Sequence, residues 1–248
     1  MDNQILRTDM KGRPVIDRRH VSYSAMDKFA NCPRKFFNYD VAKLVREPES
    51  AQMKEGKRVH QAMADYISKG TPLPPECTAW AGWVKPMITG EEDEIVKVEH
   101  QMAITFGLFP CEWFSRTNKV WLRAQADLLV MNGEHALSVD WKTGKEPDER
   151  YELLPKNFQL RITAMMIFLH FPKIRSVTSK YVYLNEGTQT SFDMPKEDLR
   201  LFIPQVYDEA AKIQHAVNDN HWPPRPSGLC KKYCGVSTCE YWGKGNRG

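Results

Sequence analysis

The segment Trp121–Thr143, WLRAQADLLVMNGEHALSVDWKT, leaves the chain the fewest choices of fold. Two aliphatic, β-branched stretches flank Asn132-Gly133, and both turn residues tolerate the positive φ of a type I′ hairpin. A two-residue loop there sets Met131 opposite Glu134 and, counting back, Asp127 opposite Ser138. Strand side chains alternate with period two, so Asp127, Asp140 and Lys142 are predicted to project from one face. Asp127 and Asp140 become diagonal neighbours with backbones about 7–8 Å apart, close enough for the carboxylates to converge. Two such acids repel each other unless a cation lies between them, and hard oxygen ligands suit Mg2+ or Mn2+. Lys142 is placed to orient a water or to offset charge developing on a phosphate. A slip of one residue would send Asp127 to the other face. The plainer alternative is a solvated surface carrying two acids and a lysine.

Around this hairpin the periodicity predicts a mixed α/β order: α, β-β-β, α, β, α. Helices are predicted from Ser24, with Asp27 as its capping pair, to about Asn31, and over Arg34–Leu44. A third covers Gln52–Ser68, where Val59, Met63, Tyr66 and Ile67 recur at helical spacing and Gly70 is a stop. Three prolines mark 71–76 as a loop. Strands are predicted at Ile95–Phe106, Lys119–Met131 and His135–Lys142. Asn157 is expected to cap a helix Phe158–His170 whose inward stripe is Phe158, Ile162, Met165, Met166 and Leu169. A strand Ser179–Leu184 and a helix Lys196–Val217 follow. Residues 1–20, polar and basic, read as an arm, and 21–248 as a single domain that includes a cysteine tail at 228–243.

With 42% hydrophobic and 27% charged residues, the chain can form a core without cross-links. A net charge of +4 permits a polyanionic partner without requiring one. The longest apolar run, Ala164–Leu169, falls far short of the roughly 20 residues that span a bilayer. Met1–Arg19 lacks the apolar stretch of a signal peptide. No membrane partner is therefore expected, and the chain is assigned to the cytoplasm. There, its six cysteines read as thiols or metal ligands rather than disulfides.

Cys230, Cys234 and Cys239 form C-x3-C-x4-C, and Cys32 stands far away in the chain. Four thiolates can close a zinc site or hold an iron–sulfur cluster, and spacing alone does not choose. Cys77 and Cys111 fit neither pattern and read as plain thiols. Lys142-Thr143-Gly144-Lys145 is not a phosphate-binding P-loop, because Val139 stands where its first glycine is needed and Glu146 replaces its Ser/Thr.

The run Leu137-Ser138-Val139-Asp140-Trp141-Lys142-Thr143-Gly144 resembles the hydrophobic–Asp-x-Lys-Thr-Gly strand of the PD-(D/E)XK nucleases, specifically their RecB-like branch. Ala124-Gln125-Ala126-Asp127 resembles that branch's Gly-x-x-Asp element, with alanine for glycine. The resemblance implies that Asp127 and Asp140 bind the catalytic metal and that Lys142 is the catalytic lysine. His60, in Gly56-Lys-Arg-Val-His60, resembles the helical histidine that helps ligate the metal; packing beside Val59 and Met63 is its plainer reading. Glu99 resembles the acid of the first sheet strand, with a solvent-facing glutamate as the alternative. Gln159 resembles the glutamine of a Gln-x-x-x-Tyr helix that faces site and DNA, although Thr163 replaces the tyrosine. His100 matches no element.

Tyr23-Ser24, Phe29, Cys32-Pro33-Arg34-Lys35-Phe36 and Tyr39 are similar to the Cys-Pro-x-Lys-Phe element of iron–sulfur RecB-like nucleases, which include CRISPR-associated adaptation nucleases and the AddB type. Their usual tail is C-x2-C-x5-C; here the middle cysteine is shifted by one. This likeness implies that Cys32, Cys230, Cys234 and Cys239 hold a [4Fe–4S] cluster, with zinc as the alternative. The implied fold is a restriction-endonuclease-like α/β core, a mixed central sheet flanked by helices, with the cluster joining its N- and C-terminal parts. The implied activity is Mg2+- or Mn2+-dependent exonuclease action on DNA, on single-stranded ends with 5′→3′ polarity. Recombination, repair and CRISPR adaptation would all suit it, as would a phage-encoded protein in a host cytoplasm and a protein partner. The rivals are a non-catalytic DNA-binding accessory protein of the same fold and an RNA nuclease. Lys54, Lys57, Arg58, Lys231 and Lys232 would track phosphates or simply be solvated. Trp80, Trp83 and Tyr23 would stack on bases or pack in a core.

Overall fold

The computed structural model describes residues 21–46, 49–115, 119–146 and 153–244; the arm read at 1–20 lies outside them. Where the sequence reads as one domain over 21–248, the chain divides into two compact units, one of residues 49–204 and one of residues 1–48 with 205–248.

The first unit is built on a sheet of six strands among the described residues, in the order β2-β1-β3-β4-β5-β6. These are β1 (Ile95–Thr105), β2 (Pro110–Cys111), β3 (Val120–Asn132), β4 (His135–Lys142), β5 (Ser176–Tyr183) and β6 (Thr188–Pro195). All neighbours are antiparallel except β4 and β5, which are parallel and are linked through a helix, Phe158–His170. A mixed sheet of this kind agrees with the expected α/β core.

The hairpin forms, but its register is not the predicted one. Asn132 pairs with His135 and Met131 with Ala136, so the two-residue loop is Gly133-Glu134, with Gly133 at φ 56°. Every pairing therefore moves by two residues, and a shift of two leaves each side chain on its predicted face. Leu128, Val130, Val139, Trp141, Val182 and Leu184 join one core with Val59 and Met63. Asp127, Asp140 and Lys142 have the opposite parity.

The Val59 and Met63 face belongs to a helix, Ala51–Lys69, begun where Ser50 Oγ accepts from the Met53 N–H and ended by Gly70 at φ 67°. The same core takes in Cys77, Trp80, Val84 and Met87 from the short turns over Pro75–Met87, with Trp83 packed against it. Trp80 is thus a core residue, and Trp83 packs half-buried against the core. The other face carries Phe158–His170. This helix is buried almost all round, including Leu160, Thr163, Ala164, Ile167 and Phe168, whereas Leu169 is only half-buried. Asn157 does not cap it: its backbone is left-handed, at φ 57°, and its side chain makes no capping bond.

The second unit opens with a helix, Tyr23–Asn31, capped by Ser22 rather than by the predicted Ser24 pair. The predicted helix over Arg34–Leu44 is a four-residue turn, Pro33–Phe36, followed by a π-helical turn, Phe37–Val41. The ring of Trp222 lies 5.0 Å from Phe37, 6.3 Å from Phe36 and 6.4 Å from Phe29. Leu199–Asp219 is one helix that contains Pro204, where the division between the units falls. A last short turn, Leu229–Lys232, carries Cys230.

Candidate active site

The ladder between β3 and β4 ends at Leu128–Val139, and Asp127 and Asp140 follow where the two strands part. Asp127 keeps a partner there. Its Oδ2 accepts the Trp141 N–H at 2.8 Å, so a carboxylate stands in for the next ladder bond and its side chain is buried. His60 reaches the same place from Ala51–Lys69: its Nε2 lies 2.8 Å from the Trp141 carbonyl oxygen and its Nδ1 3.3 Å from Asp127 Oδ2. With Nε2–H donating to that carbonyl, Nδ1 is the nitrogen left to face a cation or hold a proton. The bond to Asp127, helped by the charges of Asp127, Asp140 and Glu99, pushes the His60 pKa up to about 9 against the opposing effect of burial.

Glu99 completes this group. The β1–β3 ladder pairs Val98 with Leu128 and His100 with Ala126, which leaves Glu99 beside Asp127 without a paired backbone. Its φ is 49°, in the left-handed region. The Gln125 side-chain N–H donates to Glu99, while burial and the charge of Asp127 hold the Glu99 carboxyl above its usual range. Ligand atoms of His60, Glu99 and Asp127 all lie within 4.8 Å of one another. One imidazole nitrogen and two carboxylates in that space suit a divalent cation, which would also relieve the repulsion that raises the Glu99 pKa.

The expected ligand set was His60, Asp127 and Asp140. In the structure Glu99 joins the close group, and Asp140 turns to Lys142 and Gln159 instead. Asp140 Oδ1 lies 2.8 Å from Lys142 Nζ, and Asp140 Oδ2 accepts from Gln159 Nε2 at 2.6 Å. Gln159 Oε1 accepts from Lys142 Nζ at 3.3 Å and from the Tyr181 hydroxyl at 3.1 Å. Burial pushes the Asp140 pKa up, and the Lys142 charge opposes that push. Thr163, at the family's tyrosine position, donates its hydroxyl to the Gln159 carbonyl within the helix. Three contributors escaped the sequence reading: the Trp141 peptide group, Gln125 and Tyr181. A peptide group carries no residue signal, and the other two act through strand pairings that the sequence does not display.

The basic residues near His60 are partly spent. Lys57 pairs with Glu49 at 2.5 Å, and Arg58 with Glu55 at 2.7 Å and Glu76 at 2.9 Å.

In the second unit, Cys32, Cys230, Cys234 and Cys239 line one cavity together with Lys35, Arg225 and Trp242. Backbone N–H groups of Lys35 and Arg225 each lie 3.4 Å from Cys32 Sγ, and that of Ser227 lies 3.5 Å from Cys230 Sγ. Burial raises the Cys234 pKa, and Cys230 and Cys32 add to the rise. Among the described residues no three of these sulfurs fall within 4.8 Å of one another. Cys77 is buried in the first unit's core, and Cys111 is half-buried on β2.

No helix among the described residues is long and apolar enough to cross a membrane. No curated protein matches the chain. Among solved structures it is similar to the crystal structure of SSO0001, at 13% identity over 89% of this chain and 84% of that one, with a TM-score of 0.37. It is also similar to a candidate exonuclease from Eubacterium rectale, at 12% identity over 86% of each chain, with a TM-score of 0.47. The profile of the PD-(D/E)XK nuclease superfamily matches residues 20–241, a span that includes His60, Glu99, Asp127, Asp140, Lys142 and Gln159. By that match over most of its length, the chain belongs to the PD-(D/E)XK nuclease superfamily.

Proposed function

We propose that this protein is a Mg2+- or Mn2+-dependent deoxyribonuclease of the RecB-like branch that hydrolyses phosphodiester bonds at single-stranded DNA ends. The convergence of His60, Glu99 and Asp127 within 4.8 Å, beside the Asp140–Lys142 pair, carries this reading. A divalent cation held by that trio would lower the pKa of a bound water and neutralise charge on the phosphate. The protein's own residues have separate parts. His60, Glu99 and Asp127 would hold the cation, and Asp140 pairs with Lys142. Lys142 presents an ammonium to the oxygens on which negative charge grows. Gln159 keeps Lys142 and Asp140 in register.

The four thiols of the second unit are assigned to a [4Fe–4S] cluster. A tetrahedral zinc site, with Zn–S near 2.3 Å, needs sulfurs about 3.8 Å apart. A cluster spreads its thiolates wider, and the N–H groups aimed at Cys32 and Cys230 suit anionic sulfur. Its part is structural: it ties Cys32 to the C-terminal segment. Recombination, repair or CRISPR adaptation would use such an enzyme, and a protein partner fits each of them.

The test is cleavage of end-labelled single-stranded DNA, duplex DNA and RNA with Mn2+, Mg2+ or chelator. Metal-dependent shortening of single-stranded DNA is expected, and Asp140→Ala and Lys142→Ala should each lower the rate by at least about a thousandfold while DNA binding persists. Wild-type rates in either variant would remove the assignment. Preferential cutting of RNA would move the substrate class.

A further inference from the structure

Tyr181 lies in β5 directly beside Asp140 of β4 in the parallel ladder, and nothing in the motifs around it gives it a part in the chemistry. Its hydroxyl donates to Gln159 Oε1 at 3.1 Å, the oxygen that also accepts from Lys142 Nζ at 3.3 Å. The other end of the same amide donates to Asp140 at 2.6 Å. An amide held this way has its polarity matched at both ends: oxygen toward the ammonium, nitrogen toward the carboxylate. The Tyr181 ring makes a second contact, with Lys142 Nζ 4.9 Å from its centroid. At that range the face of a phenol attracts an ammonium, which limits the directions available to a flexible four-carbon stem.

Resting on the nuclease reading above, we infer that Tyr181 is a positioning residue for Lys142, its hydroxyl pinning the Gln159 carbonyl and its ring backing the ammonium. It acts on Lys142 through the Gln159 amide and through its own ring, and no bond to substrate is required of it. Its loss therefore acts on the chemical step rather than on substrate capture. The two functions of the side chain are separable: Tyr181→Phe removes the hydroxyl and keeps the ring, and Tyr181→Leu removes both.

The experiment has two readouts. The first is kcat and KM on the best DNA substrate with Mn2+. We expect kcat about fivefold lower in Tyr181→Phe, the size of one lost hydrogen bond, and about a hundredfold lower in Tyr181→Leu, with KM within about twofold of wild type in both. An unchanged kcat in both variants overturns the proposal, as does a raised KM at wild-type kcat, which would make Tyr181 a substrate contact. The second readout is the 15N side-chain amide signal of Gln159, assigned by its disappearance in Gln159→Glu. It should shift in Tyr181→Phe, which keeps the packing volume and does not depend on Tyr181→Leu folding. An unmoved signal overturns the proposal whether or not the protein cuts. If wild-type protein cuts no substrate, the nuclease reading fails, and the amide signal still decides whether Tyr181 holds Gln159.

Discussion

Glu99 adopts, inside a strand, a backbone conformation that costs a non-glycine residue on the order of 1–3 kcal/mol, at φ 49°. What sustains it is a relay across the β1–β3 ladder: Gln101 donates to Gln125 at 3.2 Å, and Gln125 donates to Glu99. The strain aims a carboxylate at His60 and Asp127. Gln125→Leu should therefore weaken Mn2+ binding about tenfold, measured by calorimetry, with little change in melting temperature. Equal affinity in the variant would show that Glu99 needs no such support. Much of this site was legible from residue type. Asp127, Asp140, Lys142, His60 and Gln159 were each singled out by motif, and the structure brings them to one place. Which side chains pair with which was not legible. That Glu99 and not Asp140 completes the close group with His60 and Asp127 goes with one left-handed residue and with the grip of Lys142 and Gln159 on Asp140. Neither has a signature in the chain.

Glycines show how tightly neighbouring elements meet. Gly56 sits inside the helix Ala51–Lys69, where an added Cβ would meet Thr143 Oγ1 at an ordinary 3.6 Å. Gly56→Ala should raise stability by about 0.8–1 kcal/mol through helix propensity, seen as a higher melting temperature. Gly235 is the opposite case: a Cβ there would come within 2.7 Å of the Tyr39 hydroxyl and 3.0 Å of Val45. The same hydroxyl accepts the Gly235 N–H at 2.8 Å, and Gly235→Ala should cost about 1–3 kcal/mol by displacing it, measured by denaturant unfolding. Element boundaries followed the periodicity wherever a strong cap or a strong apolar pattern existed, as in Ala51–Lys69, β1, β3 and β4. They failed where the physics is local and weak. β2 is two residues long, and β6 is an edge strand whose outward positions are polar, so neither shows an alternating apolar run. The hairpin register differs by two from the predicted one because Gly133 takes the first loop position rather than the second. The face assignment survived only because two is even.

At the scale of the whole molecule, the chain is wound so that its two ends build one unit and its middle builds the other. A cluster held by Cys32 and the three tail cysteines would close that long loop, which restricts the unfolded chain and adds to folded-state stability. Protein prepared without oxygen should accordingly be brown and contain iron and acid-labile sulfide. Cys230→Ser should lose both and melt at a lower temperature. Zinc in place of iron would support the rival ligand. The winding also sets an order of events on the ribosome. Residues 49–204 have all been synthesised while Phe29, Phe36 and Phe37 still wait for Trp222, almost two hundred residues downstream. Until that indole is synthesised, the early aromatic surface lacks the ring that packs on all three of its phenylalanines. The second unit therefore matures last, and a prematurely terminated polypeptide would carry a finished sheet alongside an orphaned, sticky leader, the kind of species that quality-control proteases recognise.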